Sequence, residues 1–272
     1  MKYVRMPIEI ESPEQMGYES LKCNLTESSF RDTRLGDLNL NLNDLVLCYG
    51  DHLGLKPLRE WLAKDAGVKP DEVILTVGAA SALFIVSTSL LSKGDRLLVV
   101  RPNYATNIET PRAIDAAIDF YDLTFEGGYR LDVKKLVSMI KPDTKLVSVT
   151  NPHNPTGVVI PDADLKELAA TCASKGCKLL VDETYRDMNF GKLPTNAANL
   201  GSHVISVCSL SKTYGLPGIR LGWLMNRDPK LVELFLAAKE QIFITGSLVD
   251  ETIALKYLEN RRKYLPSIQA LS

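Results

Sequence analysis

Three polar residues punctuate the chain at nearly equal intervals: Asn154 in "NPHNPTG" (151–157), Asp182 in "DETY" (182–185) and Lys212 in "SLSK" (209–212). From Asn154 to Asp182 is 28 positions and from Asp182 to Lys212 is 30, each about the length of one βαβ unit. Each follows an apolar run: "KLVSVT", "KLLV" and "HVISVC". A lysine on a surface turn needs no explanation, but one at the end of a buried strand does. A fourth segment, "TVGAAS" (76–81), reads as strand, glycine turn and helix start. Its free amides and the positive end of the helix dipole suit a phosphate.

The elements that position these residues follow from pattern. Short continuous apolar runs, "VILTV" (73–77), "RLLVV" (96–100), "KLVSVT" (145–150), "KLLVDE" (178–183) and "HVISVC" (203–208), are expected to be strands buried on both faces. Between them lie helical segments. "GLKPLREWLAKDAG" puts Leu55, Leu58, Trp61 and Leu62 on one face, with Pro57 in the first turn; "PDADLKELAATCASKG" offers Asp162 as N-cap and Gly176 as C-cap. Alternating βα units imply an α/β fold with a mostly parallel central sheet sandwiched by helices, and ligands gather at the carboxyl ends of its strands. Residues 1–35 lack this rhythm and read as an arm or part of a smaller domain. Residues 36–265 form the large unit, and 266–272 begin a helix after Pro266 that then stops.

Composition narrows the partners. Net charge is −1 with both signs interspersed, so neither nucleic acid nor a membrane surface is expected as partner. The five cysteines form no CxxC pair, which fits a reducing cytoplasm, and the three histidines lack metal-ligand spacing, so no metal site is expected. A small molecule is the expected partner.

Each motif has an ordinary structural use as well. "NPHNPTG" makes a turn, Asp182 can cap a helix, "GAAS" can pack closely on a strand, and Lys212 can be an exposed lysine. What those uses leave unexplained is their coincidence at one sheet edge. Together, "SLSKTYGLPGIRLG", "NPHNPTG", "DETY" and "YGDHLGLKPLR" resemble the motifs of class I and II aminotransferases, enzymes of fold type I that depend on pyridoxal 5′-phosphate (PLP). The resemblance runs from about residue 49 to about residue 260, in family order.

The resemblance implies specific roles. Lys212 matches the lysine that forms a Schiff base with PLP and later carries a proton. Asp182 matches the partner of the pyridine nitrogen, and Asn154 and Tyr185 match the groups that hydrogen-bond the phenolic oxygen. Arg220 matches the phosphate-binding arginine, joined by Ser209 and by the backbone amides of Ala79 and Ala80; Ser211 fits either side of this cup. Tyr104 matches the residue stacked on the ring, although a core tyrosine is a common alternative. Tyr49 matches a tyrosine that reaches the phosphate of a neighbouring subunit, which implies a homodimer; an ordinary packed tyrosine is the alternative.

The implied activity is amino-group transfer between an amino acid and a 2-oxo acid through Lys212. Two other readings stay open: a PLP-dependent β-eliminating lyase or cyclising synthase, and a catalytically idle PLP-binding module. Members of the family run on beyond the position of Ser272, so the small domain is expected to be incomplete and the chain truncated. The arginine that binds the substrate carboxylate has no match, since Arg261 and Arg262 in "ENRRKYLP" do not fit its motif. Donor and acceptor are not readable.

Overall fold

The computed structural model describes residues 1–24, 27–29, 32–189 and 193–269. Among them, seven strands form one sheet in the order β1-β7-β6-β5-β4-β2-β3: β1 (Val73–Val77), β2 (Arg96–Arg101), β3 (Ala117–Asp122), β4 (Thr144–Thr150), β5 (Lys178–Asp182), β6 (Val204–Ser209) and β7 (Leu221–Met225). Strands β3, β2, β4, β5 and β6 pair in parallel, whereas β7 runs antiparallel to both β6 and β1. The mostly parallel α/β sheet expected from the apolar runs is therefore present.

The chain opens with two single turns, α1 (Pro7–Ile10) and α2 (Pro13–Met16). The longer helices are α3 (Lys56–Ala66), α4 (Gly78–Leu90), α5 (Thr106–Ala113), α6 (Val133–Ser138), α7 (Asp162–Lys175), α8 (Pro229–Ile242), α9 (Leu248–Glu259) and α10 (Arg261–Gln269). Helices cover both faces. Leu58 and Leu62 of α3 pack with Ile253 and Tyr257 of α9 against Leu75 and Trp223 on one side. Leu83 and Val86 of α4 and Phe235 of α8 fill the other side against Ile74, Val99 and Val207. With both faces covered, central strands such as β6 are buried along their whole length, which is why they read as unbroken apolar runs.

Local signals place the helix ends. Pro57 falls in the first turn of α3, and Gly176 closes α7 in a left-handed conformation, φ 73°. Two readings need correction. Asp162 is the first helical residue of α7 rather than its cap; Pro161 precedes the helix, and the Asp162 carboxylate instead accepts from Thr195 Oγ1 at 3.3 Å. The last helix begins at Arg261, not after Pro266, which lies inside it. Its first turn is held by Arg261 over the Trp61 ring at 4.9 Å and by Tyr264 stacked on Tyr257. Residues 270–272, part of the expected final helix, lie outside the described residues. No helix among the described residues is long and apolar enough to cross a membrane.

Candidate active site

Register gathers the polar residues at one edge. Thr150, the last residue of β4, stands beside Asp182, the last of β5, and Asp182 stands beside Val207. Ser209, closing β6, stands beside Gly222, and Val77, closing β1, stands beside Leu221. Because β7 runs against its neighbours, its beginning lies at this edge. Arg220, immediately before β7, and Lys212, three residues past β6, therefore share it.

A cradle for an anion forms where α4 starts. No side chain caps the helix at Val77, so its first amides, including those of Ala79 and Ala80, have no capping partner. The half-buried Ala79 and Ala80 sit at this opening turn. Gly78 has φ +71°, and a Cβ there would stand 2.7 Å from Arg220 Nη2, so a side chain would fill the space the guanidinium needs. Arg220 itself adopts a left-handed conformation, φ 42°. Its Nη1 donates to the Pro217 carbonyl at 2.8 Å and to Ser211 Oγ at 3.4 Å. The buried Ser209 Oγ accepts from the Ser211 amide at 3.4 Å. The Arg220 guanidinium, two hydroxyls and an uncapped helix start make a donor set that fits a phosphate monoester.

Asp182 is 3% exposed. Its Oδ1 accepts from the Thr184 amide at 3.1 Å and from Thr184 Oγ1 at 2.7 Å. Burial pushes this carboxyl above its ordinary range, while the bonds from Thr184 and the Asn107 side chain oppose that rise. A nearby cation favours the ionised form, so the site is chemically matched to a protonated ring nitrogen. Asn107 is held in turn by Asn103, whose Oδ1 accepts from Asn107 Nδ2 and from Thr150 Oγ1, both at 3.0 Å.

Burial pushes Tyr185 up to about 12, helped by the charges of Asp182 and Glu27, while a hydrogen bond to Ser28 opposes it. Tyr104 is also raised by burial, with the charges of Glu9 and Asp182 adding to the rise and a hydrogen bond with Thr106 and the charge of Arg220 opposing it. Asn154 is half-buried in the loop after β4. That loop is fixed by the His153 amide on the Val158 carbonyl and by the Ile160 amide on Asn151 Oδ1, each at 2.8 Å. Lys212 Nζ donates to Glu27 Oε1 at 3.1 Å.

Tyr49 does not join this cluster. It is 84% exposed, next to exposed Val46 and Leu47. The segment just after it is pinned by buried charges: Lys239 Nζ donates to the His52 carbonyl, and the Leu55 amide donates to Glu251 Oε2 at 2.7 Å.

Some participants were not read from sequence. Thr184 sits inside "DETY", where a hydroxyl two positions after an aspartate is a familiar local hydrogen-bonding pattern. Gly78 was visible only as a turn. Glu27 and Ser28 lie within residues 1–35, where no periodicity ties the chain to the strands.

Comparison with known proteins gives the family. The family model for aminotransferase class I and II matches residues 31–268. An arginine–pyruvate transaminase from Pseudomonas aeruginosa is 28% identical over 187 residues, 65% of this chain and 48% of that protein. A nicotianamine aminotransferase from Oryza sativa is 31% identical over 207 residues, 72% of this chain and 40% of that protein. The chain thus spans about half the length of the curated relatives it matches. A crystal structure of a PLP-dependent aminotransferase from Streptococcus suis superposes with a TM-score of 0.82 at 29% identity, covering 88% of this chain and 67% of that one. The PLP-dependent cyclase OrfR superposes with a TM-score of 0.80 at 25% identity, covering 90% and 66%. PLP is the cofactor of these solved relatives, and the cradle and buried carboxyl suit its phosphate and ring nitrogen. The chain belongs to the class I and II aminotransferases.

Proposed function

We propose that this protein moves an amino group between an amino acid and a 2-oxo acid with PLP as cofactor. The observation that carries the reading is the placement of Lys212, buried Asp182 and the Arg220–α4 cradle on one sheet edge. Arg220, Ser209, Ser211 and the amides of Ala79 and Ala80 would hold the phosphate. Asp182 would pair with the ring nitrogen, Tyr104 would lie on the ring, and Asn154 and Tyr185 would hold the phenolic oxygen. Bound PLP supplies an electron sink for the pair released when a Cα–H bond breaks. The chain's own part is proton movement and orientation: Lys212 Nζ would take the proton from the substrate Cα and deliver it to the cofactor carbon that bonds the same nitrogen. Asp182 keeps a negative charge at the far end of the site, and the cradle fixes the plane in which the reacting bond stands.

Residues 1–35 would act as an arm over a PLP-binding unit of residues 36–265. Exposed Tyr49, with Val46 and Leu47, supports a homodimer in which Tyr49 reaches the phosphate of the second copy. Five unbridged thiols fit a cytoplasmic setting. The likeness to a cyclase favours one alternative, loss of a leaving group after Cα–H cleavage followed by ring closure. A single half-turnover separates the two readings. With amino acid alone, amino transfer yields one 2-oxo acid per site and leaves the nitrogen on the enzyme, whereas elimination with ring closure returns a cyclic amino acid over many turnovers and elimination without it releases a 2-oxo acid and ammonia.

A further inference from the structure

The group that meets Lys212 comes from a part of the chain 185 positions away. Glu27 Oε1 lies 3.1 Å from Lys212 Nζ, and the same oxygen accepts from the backbone amides of Ser28 and Ser29, each at 2.9 Å. The next residue continues the contact: Tyr185 OH donates to Ser28 Oγ at 3.1 Å. Two of the three bonds to this oxygen come from the two residues that follow it, so the carboxylate is aimed by its own loop and not by Lys212 alone. Burial would raise the Glu27 carboxyl, but the Ser29 amide and the charge of Lys212 hold it below the usual carboxylate range. The pair is also reachable by a small solute, with side-chain exposures of 31% for Lys212 and 28% for Glu27.

Amino-group transfer requires the substrate nitrogen and Lys212 Nζ to occupy neighbouring positions in turn, because each bonds the same cofactor carbon. A carboxylate within hydrogen-bond reach of one nitrogen is therefore within reach of the other. Charge points the same way. Once Lys212 is engaged with the cofactor, Glu27 loses its cationic partner, and an incoming ammonium restores the balance where a 2-oxo acid cannot. The same charge repels the substrate carboxylate and so orients the amino acid nitrogen-first.

We propose that Glu27 is the residue that recognises the ammonium group of the amino-acid substrate, binding it beside Lys212. This deepens the transferase reading and rests on it. Ser28 would hold the loop in place through Tyr185 without touching the substrate nitrogen.

The test uses the full chain with Glu27→Gln and Glu27→Asp and two readouts that need no turnover. In cofactor-free protein, the rate at which trinitrobenzenesulfonate modifies Lys212 is followed by peptide mass spectrometry. Loss of the ion pair should speed that reaction several-fold in Glu27→Gln and less in Glu27→Asp. In PLP-loaded protein, calorimetry compares 2-methylalanine, which has an amine but no Cα–H, with isobutyrate, which lacks the amine. Glu27→Gln should weaken 2-methylalanine by about tenfold or more and isobutyrate by less than about twofold, as expected for a hydrogen bond to a charged group, with Glu27→Asp between. Equal weakening of both ligands, no weakening of either, or unchanged Lys212 labelling would overturn the proposal. If Glu27→Gln does not fold, Glu27→Asp decides by the same comparison. A wild-type protein that binds 2-methylalanine through Glu27 yet makes no 2-oxo acid from any amino acid would sink the transferase reading and leave the role of Glu27 standing.

Discussion

Gly222 in β7 lies against the turn that opens α4: a methyl group on it would stand 2.7 Å from the Ala79 amide nitrogen and closer still to the Gly78 carbonyl carbon. The strand thereby sets the height of the helix start, and with it the aim of the free amides. Gly222→Ala must push backbone away from backbone and is expected to cost about 1–3 kcal/mol of stability. It should also weaken phosphate binding. Gly78→Ala should strain the backbone, whose φ is +71°, and also crowd the cradle, since its Cβ meets the Arg220 guanidinium. Urea unfolding and calorimetric titration with PLP, each with and without inorganic phosphate as competitor, check both.

Asp182 is buried and raised by that burial, so its charge is a burden on the cofactor-free fold. Asp182→Asn keeps the shape and the bonds from Thr184 within reach. The cofactor-free variant is expected to melt at or above the wild-type temperature. Amino transfer should fall by about a hundredfold or more, the scale of losing an electrostatic partner in an active site. PLP affinity should fall far less. Calorimetry and single-turnover rates read the two effects separately.

Glu183, adjacent to Asp182, is 1% exposed. It accepts from the Ala197 amide at 3.2 Å, from Asn196 Nδ2 at 3.0 Å and from Ser206 Oγ. Burial raises its carboxyl from the ordinary 4.5 to about 7 despite those bonds. The folded chain therefore holds more protons than the unfolded one between these two values, and stability falls as pH rises through that window. The loss is about 3 kcal/mol by linkage. Glu183→Gln should remove this slope and gain on the wild type as pH climbs from the ordinary 4.5 to about 7, levelling off once the raised carboxyl has ionised. Urea midpoints across that range measure it.

Tyr214, two residues after Lys212, is buried and donates to Asp187, which is 6% exposed. Arg261 of α10 approaches the same carboxylate at 3.9 Å. Removing the hydroxyl in Tyr214→Phe withdraws a donor from a buried acceptor and is expected to cost about 1–3 kcal/mol. Because the hydroxyl anchors the loop that carries Lys212, the variant should also slow transfer while leaving PLP affinity nearly unchanged. Unfolding curves and rates at saturating PLP check this.

The core strands were legible in the sequence because burial on both faces demands continuous apolar runs. The outer strand β3 was not, since "AIDFYD" is interrupted by Asp119 and Asp122, which pair with Arg96 and Arg101 at the sheet's edge. Strand β7 was hidden because it follows the glycine-rich loop directly, without a helix to set it apart. In the site, Asn154, Asp182 and Lys212 were readable through spacing, since one βαβ unit returns the chain to the same edge. Arg220 was readable only through the resemblance of "SLSKTYGLPGIRLG" to the family motif. Glu27 escaped because it reaches the site from an aperiodic segment. What joins it to Lys212 is a tertiary contact that no local pattern announces.

The central claim is that Lys212, at this edge, engages PLP. The absorption spectrum of purified protein with PLP, before and after borohydride, for wild type and Lys212→Ala, tests it most directly. The account predicts a borohydride-sensitive visible band in the wild type, a covalent adduct mapped to Lys212, and neither in Lys212→Ala. A well-folded wild type without that band, or one whose adduct maps to another lysine, would contradict it.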